Sequence, residues 1–235
     1  MPMLNDKDRR FLEDYLKGGL SGPVTIKLFT QAISCQFCKE TQQLMEEVAA
    51  LSDKIELQIY NFVTDREVAE AHGIRRIPAT VIMGTKDYGI RFYGIPSGYE
   101  FNTLVEDIVA VSNEAHGLPD EVVAQLAQVQ EPVHMQVFVT PTCPYCPTAV
   151  RTAHAFAMAS DQITADMVEA VEFPQLAQRY SVMAVPKTVI NDKTELEGAA
   201  PPDLVVAKVL QAVGLMSAEE VAALMEGFEG ELEST

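Results

Sequence analysis

The sequence predicts an α/β protein made of two tandem units, each a mixed β-sheet flanked by helices. Three observations carry this. A Cys-x-x-Cys pair occurs twice, at Cys35/Cys38 and at Cys143/Cys146, with the copies 108 positions apart. A proline inside an apolar run recurs at the same offset, in IRRIPATVI around Pro78 and VMAVPKTVI around Pro186. Strand-like and helix-like patterns then alternate in the same order around both copies. Two cysteine pairs alone could coincide, but pair, proline and strand sharing one offset mark an internal repeat.

Each unit opens on a short apolar run with strand character, Val24–Phe29 or Val133–Val139. The cysteine pair follows, then a helical pattern over Thr41–Leu51 or Thr148–Ala159. Strands are expected near Ile55–Phe62 and Ile163–Val171, and short helices over Arg66–His72 and Pro174–Tyr180. The prolines lead into strands at Thr80–Met83 and Thr188–Ile190. A second strand and turn at Gly94 or Gly198 then lead to closing helices over Tyr99–Val111 and Asp203–Val213. Leading helices are expected at Asp6–Leu16 and Asp120–Val129. The boundary is placed near Gly117-Leu118-Pro119, giving units 1–117 and 118–214 and an acidic tail 215–235. Ser217 and Glu220 form a capping-box pattern at the start of a tail helix over Ser217–Phe228.

With 235 residues, 48% hydrophobic and 22% charged, the chain can bury a core in each unit. The net charge is −17, and the tail's six glutamates, with no Lys or Arg among them, leave −11 on the rest. Such a surface repels phosphate backbones, and no basic stripe is present, so no nucleic-acid role is expected. The N-terminus lacks the apolar core of a secretory signal, and no stretch of about 20 apolar residues could span a membrane, so a cytoplasmic location is expected. Four cysteines are too few for a disulfide scaffold.

Two cysteines separated by two residues at a strand-to-helix turn suit thiol chemistry. The first thiol sits where free N–H groups and the helix dipole favour an anion, lowering its pKa from about 8.5 toward roughly 7 or below. A thiolate attacks a disulfide, and the second thiol, one turn on, resolves the mixed disulfide. Cys35 and Cys143 are therefore the expected nucleophiles, Cys38 and Cys146 the resolving thiols, and the expected disulfides are Cys35–Cys38 and Cys143–Cys146. A shared zinc site is disfavoured, because the pairs occupy equivalent places in separate units; no metal is expected. His72, His116, His134 and His154 show no metal-like spacing and read as packing or surface residues. Phe37 and Tyr145, between the cysteines, either line a substrate surface or cap the site. Pro144 makes the second motif differ from the first, and because the C-P-Y-C string resembles that of glutaredoxins, Cys143–Cys146 is expected to be the more oxidising and reactive pair.

With these residues in view, the chain resembles the PDI-like, glutaredoxin-like protein disulfide oxidoreductases with two thioredoxin folds known from thermophilic archaea and bacteria. The likeness covers residues 4–214 and rests on CQFC, FVTPTCPYCPTAVRTAH, GIRFYGIPSGYEF, DMVEAVEFP and YSVMAVPK. It implies thiol–disulfide exchange that forms, reduces or isomerises protein disulfides at both pairs. It also implies no bound cofactor, electrons from an NADPH-linked flavoprotein of the thioredoxin-reductase type, and protein disulfides or dithiols as substrates. Cis peptides at Ile77-Pro78 and Val185-Pro186 would form substrate-binding loops. The chain departs from thioredoxin itself: it has no Trp, and Phe29 and Val137 stand six residues before the first cysteines, where thioredoxin keeps a buried Asp. No paired-Gly glutathione element follows Pro186. Two other readings stand beside this one: an electron-carrier module for a peroxidase or other reductase, and a redox-inactive binding or chaperone scaffold.

Overall fold

The computed structural model describes the backbone of residues 3–233 and the side chains of residues 3–227. In the first unit the order is α1 (Asp6–Gly19), β1 (Val24–Thr30), α2 (Cys38–Ala49), β2 (Ile55–Asn61), α3 (Arg66–Ala71), β3 (Ala79–Met83), β4 (Asp87–Tyr93) and α4 (Glu100–Asn113). The second unit repeats it as α5 (Asp120–Leu126), β5 (Val133–Val139), α6 (Cys146–Ala159), β6 (Ile163–Glu169), α7 (Pro174–Arg179), β7 (Lys187–Ile190), β8 (Thr194–Glu197) and α8 (Pro202–Ala212). The tail adds α9 (Ala218–Glu233).

Local chemistry explains the boundaries. Asn5 caps α1, its side-chain oxygen accepting from the N–H groups of Lys7 and Asp8 at 3.0 and 2.9 Å. The tail's capping box forms as expected, with Ser217 N–H on Glu220 at 2.8 Å and Glu220 N–H on Ser217 Oγ at 3.2 Å. The expected solvated face of the tail falls partly outside the described side chains, at Glu229, Glu231 and Glu233. Both helices after the motifs start earlier than the pattern predicts, at Cys38 and Cys146 themselves. Cys38 and Cys146 are both buried, so the apolar stripe already includes them.

The sequence predicts a sheet in each unit. The structure fuses the two into one eight-stranded sheet of order β2-β1-β3-β4-β6-β5-β7-β8. The junction is a parallel pairing of β4 with β6, from Ile90↔Ala165 to Tyr93↔Val168. Within each unit one outer pair is parallel (β1/β2, β5/β6) and the others antiparallel. Following these directions, β1, β4, β6 and β5 all run the same way.

Strand alternation separates two cores. Ile26, Leu28, Phe92, Val137 and Met167 face the larger one, which runs across both units under α2, α4, α6 and α8. Phe29, Tyr93, Phe138 and Val168 face the other side, where the six-residue helices α3 and α7 contribute Ala69 and Leu176. Among the described residues, no helix is long and apolar enough to cross a membrane.

Candidate active site

Each cysteine pair lies where a strand hands over to a helix. β1 ends at Thr30 and β5 at Val139; the loops that follow carry Cys35 and Cys143, and Cys38 and Cys146 open α2 and α6. Both pairs are disulfide-bonded within the motif, with Cα atoms 5.5 Å apart in each. Resolving sulfurs are buried (Cys38 1%, Cys146 0% exposed), whereas Cys35 is half-buried at the edge of an open groove of about 730 Å³. In the second site the backbone N–H of Cys146 donates to Cys143 Sγ at 3.1 Å. That donor, at the start of a helix, stabilises negative charge on Cys143 once the pair is reduced.

Because β1 and β5 run parallel in one sheet, both dithiols lie at the same end of the sheet, beyond the C-terminal ends of these strands. Four strand spacings separate β1 from β5, about 19 Å at roughly 4.8 Å per step. The peptides Ile77-Pro78 and Val185-Pro186 are cis. The Val185 carbonyl lies 3.7 Å from Cys143 Sγ, which brings the second proline loop to the second dithiol. The proline carbonyls are held alike, by Gly94 N–H on Pro78 at 3.0 Å and by Gly198 N–H on Pro186 at 2.8 Å. Tyr145 and Met183 are strongly exposed in the second motif and its proline loop.

The segment 94–100 ties the units together beside the second dithiol. Tyr99 N–H donates to the carbonyl of Pro141, two residues before Cys143, at 3.1 Å. Gly98 has φ +61°, and a Cβ there would sit 2.1 Å from that same oxygen, so a side chain is excluded. Glu100 follows, 2% exposed, with neither carboxyl oxygen hydrogen-bonded among the described residues. Burial pushes its pKa up to about 7, against the pull of the nearby Thr103, His154 and Arg151; Asp107 adds to the rise. His154, fully buried, bonds Asp107 through Nδ1 at 2.6 Å and meets Phe92 edge-on. Burial likewise raises the carboxyl of Asp107.

Sequence reasoning missed this cluster and read His154 as packing, which describes only its burial. The signal was present: Glu100, Thr103 and Asp107 share the helical register of Leu104, Ile108 and Val111, on the face that should be apolar. Phe29 and Val137 are both fully buried and supply no proton acceptor at the thioredoxin position. Nearer the first unit's proline loop lies Glu172, whose Oε1 accepts from Ile95 N–H at 2.7 Å. Burial, with the charges of Glu169 and Glu40, raises it to about 7. No group of three or more His, Cys, Asp or Glu among the described residues is placed to hold a metal ion.

Comparison with known proteins agrees with this geometry. The family described as Thioredoxin domain matches residues 24–106 and 133–211. A crystal structure of a protein disulfide oxidoreductase from Aeropyrum pernix superposes with a TM-score of 0.84 at 30% identity, covering 91% of this chain and 96% of that one. The NTD_N/C domain of an alkylhydroperoxide reductase from Enterococcus faecalis gives 0.79 at 27% identity, over 86% and 98%. An alkyl hydroperoxide reductase chain of Staphylococcus aureus is 27% identical over 65% of this chain, and an NADH dehydrogenase of Bacillus subtilis 26% over 73%. The chain spans only 28% and 31% of the length of these two curated relatives. The chain therefore belongs to the thioredoxin-domain family, as a tandem of two thioredoxin-like units with two C-x-x-C redox centres on a thiol–disulfide oxidoreductase fold.

Proposed function

We propose that the protein exchanges electrons with protein disulfides at both dithiols, drawing them from an NADPH-linked flavoprotein of the thioredoxin-reductase type. The observation that carries this is the Cys146 N–H held on Cys143 Sγ at the start of α6, which favours the thiolate at the attacking sulfur. In the reducing direction the Cys143 thiolate attacks a substrate disulfide. A Cys143–substrate bond forms, the substrate disulfide breaks, and the departing thiolate takes a proton. Cys146 then gives up its proton and displaces the second substrate sulfur as thiolate, restoring Cys143–Cys146. Two electrons pass to the substrate. Glu100, buried and protonatable near neutrality, is the proposed acceptor of the Cys146 proton. Cys35 and Cys38 play the same parts in the first unit. The exposed Tyr145 and Met183 favour an apolar stretch of polypeptide beside the disulfide, with Ile77-Pro78 and Val185-Pro186 offering backbone groups to it. Location in the cytoplasm belongs to the same reading.

The test is insulin reduction with dithiothreitol, and NADPH oxidation with a thioredoxin-reductase-type flavoprotein. The paired variants Cys35→Ser/Cys38→Ser and Cys143→Ser/Cys146→Ser should each keep part of the activity, and the fourfold variant none. Equal turnover by the fourfold variant would remove the redox reading. A second reading has one observation behind it: the curated relatives are much longer reductase and dehydrogenase chains, of which this chain spans less than a third. There the module would relay electrons to a peroxide-reducing partner. Rapid reduction by the flavoprotein with negligible insulin turnover would favour it.

A further inference from the structure

On the sheet face covered by α3 and α7, the strands at the seam present polar groups where the neighbouring positions are apolar. Arg91 of β4, Gln136 of β5 and Asp166 of β6 stand on the same side as Tyr93, Phe138 and Val168, yet are 7%, 2% and 5% exposed. They floor a cavity of about 300 Å³ that crosses from one unit to the other. Arg75 and Arg76 of the first unit and His134 and Arg179 of the second line it as well. A second cavity of about 390 Å³ shares Arg76 and Arg179, so the groove continues along α7.

In a chain of net charge −17 with eight arginines, four gather in this one cleft. Their compensation is uneven. Arg91 is held by Asp87 through two hydrogen bonds of 2.8 and 2.7 Å. Arg179 meets Asp192 at 3.6 Å and lies over the Tyr180 ring. His134 is bonded to Asp166 at 2.6 Å. Arg75 and Arg76 have no ion-pair partner among the described residues. Both line the cavity, together with His134 and Tyr93. Uncompensated guanidinium groups converging over a concave, buried hydrogen-bonding floor suit a multiply charged oxyanion, because planar guanidinium matches its geometry two bonds at a time. The volume lies at the small end of ligand sites.

We propose that this cleft binds a phosphate-bearing small molecule, with the phosphate held by Arg75, Arg76 and Arg179 across the seam and the Gln136 floor orienting the remainder. This goes beyond thiol exchange and does not depend on it. Because the site takes residues from both units, occupancy stabilises their junction.

The test is thermal unfolding and calorimetric titration of the oxidised, full-length protein with pyrophosphate, a nucleoside triphosphate and, as a carboxylate control, succinate. A concentration-dependent rise in melting temperature with the phosphates is expected. Arg75→Gln/Arg76→Gln should abolish it, Arg179→Gln should weaken binding about tenfold or more, and the exposed Arg66→Gln should leave it intact. Circular dichroism of the unliganded variants checks that they fold. No response of the unaltered protein, or a response that Arg75→Gln/Arg76→Gln retains, overturns the site. An equal response to succinate overturns the phosphate assignment.

Discussion

Glu100 is an ionisable group placed where a hydrocarbon would be expected, and its replacement by glutamine has a calculable signature. In the unfolded chain this carboxyl titrates near 4.5, and in the folded protein near 7. Between those values the folded protein keeps a proton that the unfolded chain has released. Its contribution to stability is therefore complete below about pH 4.5 and is lost as pH rises through 7. At about 1.36 kcal/mol per pH unit, the loss reaches at most about 3 kcal/mol, reduced by whatever water and the nearby His154 do to accommodate the carboxylate. A glutamine amide in its place stays neutral throughout. Glu100→Gln should match the unaltered protein within about 1 kcal/mol near pH 5 and exceed its stability by about 1–3 kcal/mol near pH 8.5. Urea unfolding of the oxidised form reads this directly, since no cysteine then titrates. The same variant, reduced, should lose the alkaline rise in turnover at the second dithiol that deprotonation of Glu100 supplies. A stability difference that does not change with pH would refute the reasoning, and an unchanged pH–rate profile would remove Glu100 from the proton path.

Further outcomes follow from other contacts. Gly98→Ala should cost about 2 kcal/mol or more, from its left-handed backbone and the clash with Pro141 O, and should slow the second dithiol more than the first in single-site variants. Glu172→Ala should destabilise by about 1–3 kcal/mol near pH 5, by leaving the Ile95 N–H without its acceptor, and by less near pH 8, where it also removes a buried carboxylate whose pKa is raised to about 7, measured by chemical unfolding. Cys143 should react faster with iodoacetamide at pH 6 than Cys35 does, because the Cys146 N–H supports its thiolate; alkylation followed by mass spectrometry decides.

The repeat was legible because its markers are rare residue types at fixed spacing: two cysteine pairs and two prolines carry the register whatever the surrounding side chains do. The fusion of the sheets was not. Ile90–Tyr93 and Ala165–Val168 read as ordinary strands, and nothing in a strand's own pattern says whether its edge meets water or another strand. The cysteine positions were legible, and the buried acid proposed to serve the second pair was not, since thioredoxin's place for it, Val137, lies on a strand of the same unit while Glu100 arrives on a helix of the other. The arginine cleft was hidden for a related reason. Its members come from strands and loops more than 100 residues apart and become neighbours only once the two units share one sheet.

The β4–β6 junction has a directional character. It joins the last strand of one unit to the second strand of the next, a head-to-tail union with no internal two-fold, and such unions do not close by themselves. The molecule still ends in one edge of each kind, β2 at one side and β8 at the other, so a further copy could in principle be added by the same rule. What stands at those ends opposes it. β8 is four residues long and carries exposed Glu195 and Glu197, and β2 exposes Glu56, so a repeated junction would bring carboxylates toward carboxylates. The acidity at these two ends therefore opposes extension of the sheet beyond two units.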